Sequence, residues 1–234
     1  MSEETETPEE PGPRPEPPRP LRLFVAVNLQ IASVRKLGDA VARLRHAMRN
    51  KPAKLAWVAP ANLHVTLKFL GWGRPEVASA IGDALARVAS GRRAFDIQTR
   101  GVGGFPDLDS ASVLWVGVAD PSGGLVALAE AVEKEMAVLG FAREKRPYHP
   151  HVTVARVKDG WNPELRGALA PLDADFGKSF VKEVVLYESQ TKSTGSEYTA
   201  LARAALTVPE RQTRSLEEEG TRSEEPETNG RQST

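Results

Sequence analysis

The tripeptide His-Val-Thr occurs twice in this chain, at His64-Val65-Thr66 and His151-Val152-Thr153, each time followed by an apolar residue, Leu67 and Val154. An imidazole titrates at about pH 6.5, so at neutral pH one copy can carry a proton while the other does not. One can then take a proton from an attacking water while the other gives one to a leaving oxygen. A threonine hydroxyl beside each can donate to the non-bridging oxygens of a phosphate as charge grows on them. Such a set does acid–base chemistry at a phosphodiester without a metal. A single His-x-Thr on a strand is an ordinary hydrogen-bonding pair; two copies with the same spacing and flanks point to an enzyme.

Side chains alternate along a strand. Strict alternation puts His64, Thr66 and Lys68 on one face, with Val65, Leu67 and Phe69 on the other. It pairs His151 with Thr153 and sends Val152, Val154 and Arg156 to the opposite face. The apolar set has a core to meet, so the His-Thr set faces a polar cleft.

The elements around these strands alternate in type. The run 21–27 reads as a buried strand, followed by a helix over about 31–49 with Val34, Leu37, Val41, Leu44 and Met48 on its apolar side. Residues 64–70 form a strand, and Pro75 opens a second helix carrying Val77, Ile81, Leu85 and Val88. Strands are expected at 95–102 and 112–119, with Gly101 to Gly104 as a turn between them. A third helix spans about 122–139, ended by Gly140. The strand 151–157 and a hairpin of 181–187 with 197–206 complete the pattern; 158–180 is less regular, with a short helix near 163–169. Strand runs and hairpins argue against a doubly wound parallel sheet. The expected fold is α+β, with two related antiparallel sheets side by side, helices outside and a cleft between.

The chain of 234 residues has no cysteine, which excludes disulfides, zinc–thiolate sites and a thiol nucleophile. Residues 1–20 hold seven prolines and six Glu against two Arg; residues 209–234 hold seven Glu against four Arg. Both read as disordered tails flanking a domain at 21–208. That domain keeps 25 basic and 18 acidic residues, a net of +7 that suits a polyanionic ligand. With no basic–apolar leader at residues 1–20 and no apolar run of about 20 residues, neither export nor membrane insertion is expected, and the location is read as cytoplasmic.

Other side chains offer contacts to a substrate. Lys68, Arg156 and the cluster Arg143, Lys145, Arg146 are candidates for phosphate; Tyr148, Phe105 and Trp72 are candidates for stacking on an unpaired base. His149 precedes the second motif in His149-Pro150-His151, but four histidines and no His-Glu-x-x-His make a metal site a poor reading. His149 is expected to orient its loop, and His46 to be exposed.

The chain resembles the two-histidine phosphoesterase superfamily, and within it the bacterial and archaeal RNA 2',3'-cyclic phosphodiesterases long called 2'-5' RNA ligases. The resemblance rests on Leu21-Arg22-Leu23-Phe24-Val25-Ala26-Val27, Trp57-Val58, and the run from Asn62 through His64-Val65-Thr66-Leu67 to Gly71. It continues at Phe105-Pro106, at Val113-Leu114-Trp115-Val116-Gly117-Val118, at Arg146-Pro147-Tyr148-His149-Pro150-His151-Val152-Thr153-Val154-Ala155-Arg156, and at Val184-Val185-Leu186-Tyr187-Glu188-Ser189 with Gly195 to Tyr198. It covers about 21–205. The resemblance implies a bilobal fold with one histidine per lobe, no cofactor, and hydrolysis of an RNA 2',3'-cyclic phosphate end to a 2'-phosphate. It implies His64 as proton donor, His151 as proton acceptor, Thr66 and Thr153 as phosphate holders, and reversible 2'-5' joining of RNA ends. The expected partner is an RNA end, met by a monomer. Ala61, Ser110-Ala111-Ser112 and Thr191-Lys192 depart from the family pattern and bear on RNA-end preference rather than on the four motif residues. Other readings left open are a cyclic nucleotide or 2'-5' oligonucleotide as substrate, and a non-catalytic RNA-end binder.

Overall fold

The computed structural model describes residues 19–193 and 195–209. The expected tails therefore lie almost wholly outside the described residues. Strand β1 (Leu21–Asn28) leads to helix α1 (Ile31–Ala47), a short strand β2 (Lys54–Trp57) and the first motif strand β3 (His64–Gly73). Helix α2 (Val77–Ala89), strands β4 (Phe95–Phe105) and β5 (Val113–Ala119), and helix α3 (Gly124–Val138) follow. The second motif strand is β6 (His151–Asp159); a 3-10 stretch, Pro163–Leu172, precedes β7 (Asp175–Val181), β8 (Glu183–Lys192) and β9 (Gly195–Ala205).

The strands run in the order β7-β4-β5-β6-β3-β1-β8-β9, with β2 added along β6, in a curled antiparallel sheet. The two expected sheets are its two halves. They touch at one paired position, Val65 with Val152, the central residue of each motif. Antiparallel pairing about that point sets His64 across from Thr153 and Thr66 across from His151.

One face of the sheet is covered by helices. Leu37, Ala40, Val41 and Leu44 form the buried stripe of α1, and Ile81, Ala84, Leu85 and Val88 that of α2. The halves are tied together, because α1 leaves the first half to pack against β7 and the 3-10 stretch of the second. Helices α2 and α3 pack on each other, α2 beneath β8 and β9 and α3 beneath β3, so one hydrophobic core serves both halves. Among the described residues no helix is long and apolar enough to cross a membrane.

Both motif strands carry a β-bulge at the residue after the threonine. Along β1 and β3 the partners step from Ala26–Thr66 to Val25–Lys68, leaving Leu67 extra. Along β5 and β6 they step from Trp115–Thr153 to Leu114–Ala155, leaving Val154 extra. A bulge inserts one residue and so reverses the alternation beyond it. Lys68 therefore turns toward the helices and is 6% exposed, whereas Phe69 takes the open face. Arg156, expected opposite His151, lies on the same face as His151.

Three other expectations are corrected. Gly101 to Gly104 is not a turn but part of β4, which runs on to Phe105. A β-carbon at Gly103 would overlap the Trp115 ring lying across it, so glycine is what lets the indole sit flat on the sheet. Strands β2 and β7 went unread. In β7 the polar Ser179 occupies a fully buried position, where its hydroxyl accepts from the Gln30 backbone N–H at 3.0 Å. That partner comes from 149 residues away, and local patterning cannot show it.

Candidate active site

The two histidines are held alike. Nδ1–H of His64 donates to the Asn62 carbonyl at 2.7 Å, and Nδ1–H of His151 donates to the His149 carbonyl at 2.7 Å. A carbonyl can only accept, so each Nδ1 keeps its hydrogen and each Nε2 is left as the working nitrogen. Nε2 of His64 lies 2.9 Å from the Thr66 hydroxyl. Both anchoring carbonyls are themselves fixed. Asn62 ends the 3-10 turn Pro60–Asn62, and its side-chain amide donates to the Ser196 carbonyl of β9 at 2.6 Å. His149 lies in the segment 141–150, which is strapped to β3 by side chains of both.

Different aromatic groups surround each ring. Phe24 of β1 lies 4.9 Å from the His64 ring, and Tyr198 of β9 meets it edge-on at 5.4 Å. Tyr187 stacks on Phe24 at 5.3 Å and donates its hydroxyl to Asn28 Oδ1 at 2.9 Å. A cavity of about 260 Å³ beside His64 is lined by Asn28, Asn62, Tyr187, Tyr198 and Arg203, among others. On the other side, Phe105 meets His151 edge-on at 4.9 Å, with Trp115 at 6.0 Å and His149 at 6.2 Å. Among the described residues no three His, Asp or Glu side chains cluster as a metal would require.

Burial pulls the pKa of both histidines below the usual imidazole value. For His64 the carbonyl of Asn62 opposes this, and the charge of His151 adds to it. For His151 the His149 carbonyl opposes it, and the charges of His149 and Arg156 add to it. Each histidine is thus poised neutral, and protonating one discourages protonating the other. An anionic phosphate between them reverses that balance by favouring a positive ring.

The candidate substrate residues divide. Phe105 and Arg156 stand on the open face with His151. Lys68 does not: its Nζ is buried, donates to Glu133 Oε2 at 2.7 Å and to the Ala142 carbonyl at 2.8 Å, and faces away from the cleft. Tyr148 is corrected as well. Its half-buried ring packs against the core and its hydroxyl donates to the Thr66 carbonyl at 3.1 Å, so it ties its segment to β3. Burial pushes its phenol well above the ordinary value, which keeps it a neutral donor. Lys68 and Tyr148 instead strap the segment 141–150, and with it His149 and His151, onto the strand that carries His64. Glu133 completes the strap by accepting the Glu144 backbone N–H at 3.0 Å. Arg143, Lys145 and Arg146 are exposed, and so is His46.

Phe24, Asn28, Trp115, Tyr187, Tyr198 and Arg203 were not singled out as site residues. Hairpin pairing alone sets Tyr198 near Tyr187, but only the β1–β8 and β1–β3 pairings bring both beside His64.

Comparison with known proteins agrees with this geometry. The family model described as "2'-5' RNA ligase superfamily" matches residues 33–192. An Aeropyrum pernix protein named RNA 2',3'-cyclic phosphodiesterase is 36% identical over 163 residues, covering 69% of this chain and 92% of that protein. An Escherichia coli protein of the same name is 32% identical over 195 residues, covering 80% and 98%. Among solved structures, TT0787 of Thermus thermophilus aligns with a TM-score of 0.66 at 27% identity, covering 80% of this chain and 98% of its own. Escherichia coli LigT complexed with 3'-AMP aligns at 0.62 and 28%, covering 80% and 99%. With its twinned His-x-Thr strands, their shared bulge and the matched family model, the chain belongs to the 2'-5' RNA ligase superfamily.

Proposed function

We propose that this protein hydrolyses RNA 2',3'-cyclic phosphate ends to 2'-phosphates, with His64 and His151 as the acid and base. The observation that carries the reading is the twinned anchoring: each motif histidine gives its Nδ1–H to the carbonyl two residues before it, and the two motifs meet at Val65 and Val152. The names of the relatives give the substrate class.

In the step we propose, His151 Nε2 takes a proton from a water whose oxygen attacks phosphorus. The bond from phosphorus to the 3' oxygen breaks, and His64 Nε2 delivers its proton to that oxygen. Thr66 and Thr153 donate to the non-bridging oxygens, and Arg156 offsets the growing negative charge. Phe105 holds the edge of His151. Run forward with an RNA 5'-hydroxyl in place of water as the attacking group, the same step breaks the bond to the 3' oxygen and leaves the two ends joined in a 2'-5' linkage. Because one chain supplies both histidines, the reading is of a monomer, and it carries a cytoplasmic location with it.

The test is turnover of a short RNA with a 2',3'-cyclic phosphate end in excess EDTA, with the product end mapped. Clean 2'-phosphate, lost in His64→Ala and His151→Ala by about 100- to 10,000-fold each, is the expected result. Unchanged activity in both variants sinks the mechanism. Tight binding without turnover would make the protein an RNA-end binder, and turnover confined to cyclic mononucleotides or 2'-5' oligonucleotides would replace the substrate.

A further inference from the structure

Beyond the reacting phosphate, the open face of the first half carries two large aromatic rings in full view. Phe69 is 62% exposed and Trp72 is 71% exposed. The other exposed large apolar side chains among the described residues, Ile31, Val126, Val138 and Leu201, lie on other elements, and scattered single cases need no explanation. Phe69 and Trp72 share one strand, one face and the strand that bears His64.

The register shows how they are aligned. Asn28, Ala26, Phe24 and Arg22 are alternate residues of β1, so they share a face; their partners on β3 are His64, Thr66, Phe69 and Trp72. The bulge at Leu67 brings Phe69 into this row, and a second register shift, at Leu70, keeps Trp72 in it. The row leads straight out from the catalytic histidine. The Phe24 ring links the two, 4.9 Å from the His64 ring and 6.2 Å from the Phe69 ring, and at about 3.4 Å per strand residue the Trp72 position follows roughly 7 Å further along β1. That second step matches the reach of one nucleotide of an extended strand. Arg22, directly across from Trp72, is exposed and forms no ion pair among the described residues.

The two halves differ at the corresponding position. Two residues past the bulged residue, the second half presents Arg156, a cation beside His151, and the first half presents Phe69, an aromatic ring. At this matched position one half offers a cation and the other an aromatic face.

We infer that the row Phe69–Trp72, with Arg22, is a subsite for the nucleotides that precede the cyclic end: unpaired bases stack on the two rings and a backbone phosphate meets Arg22. The inference rests on the RNA-end reading above and names what that reading leaves open, which part of the RNA beyond the end is held. Stacking platforms beside a cation are how proteins hold single strands without reading sequence. The subsite therefore selects length and single-strandedness rather than base identity.

The test is kcat/KM for a nucleoside 2',3'-cyclic phosphate and for di-, tri- and tetranucleotides with the same end. For the unaltered protein kcat/KM rises with length and levels off by the tetranucleotide. Phe69→Ala and Trp72→Ala each lower the ratio of tetranucleotide to mononucleotide by roughly 5- to 150-fold, the range of one lost base stack. Val138→Ser removes an equally exposed apolar side chain outside the cleft and leaves that ratio unchanged. A loss shared equally by short and long substrates, or no length dependence at all, overturns the inference while leaving the RNA-end reading intact. Failure to turn over any of the four removes the RNA-end reading and this inference with it.

Discussion

Replacing Lys68 by methionine separates the two roles this residue could have. Its side chain is 4% exposed and that of Glu133 is 25% exposed, with 2.7 Å between Nζ and Oε2. The variant loses that charge-assisted bond and the one to the Ala142 carbonyl. It leaves Glu133 with the Glu144 N–H as its remaining donor. Breaking a buried pair from one side costs about 3–5 kcal/mol. Glu133 keeps some contact with water, which places this case near the low end, at about 3 kcal/mol. For a domain of this size that lowers Tm by roughly 6–12 °C. Loosening the segment 141–150 also frees the His149 carbonyl that holds His151, so kcat falls more than KM rises. Thermal unfolding and steady-state kinetics read both effects. The double variant Lys68→Met with Glu133→Leu recovers most of the lost stability, because no carboxylate is left without its partner. A Lys68→Met protein with unchanged Tm and a raised KM would show that Lys68 contacts substrate and refute the strap.

Arg156→Met removes the cation beside His151. We expect kcat/KM to fall by about 10- to 100-fold and its acid limb to move to higher pH. The sign follows from His151 acting as base: it must be neutral, and losing a nearby positive charge raises its pKa. Stability should fall as pH drops below about 6.5. The native pKa of both histidines lies below the unfolded value, so the unfolded chain binds more protons in that window and unfolding is favoured. Urea midpoints at pH 7.5 and 5.5 check this, and the difference should shrink in His64→Asn. Gly103→Ala forces the Trp115 ring off the sheet, at a cost of about 1–3 kcal/mol. Shifted tryptophan fluorescence and a lower kcat should accompany the loss of stability, since Trp115 packs on His149 and beside His151; unchanged fluorescence would contradict that packing.

Features that depend on neighbours in the chain were legible in the sequence. The periodicities of α1 and α2 name their buried faces, because a helix sets its own spacing. The doubled His-x-Thr names the acid–base pair, because imidazole and hydroxyl keep their chemistry wherever the strand lies. What required the tertiary structure was everything decided by pairing. A bulge is one residue too many relative to a partner strand, so nothing within β3 or β6 reveals that Leu67 and Val154 are the extra residues. Yet those two bulges decide that Lys68 is buried and that Arg156 and Phe69 face the cleft. The single contact of Val65 with Val152 joins motifs 87 residues apart, and the aromatic wall of His64 comes from three different strands. Local sequence records which groups can react; only long-range backbone pairing decides which of them meet.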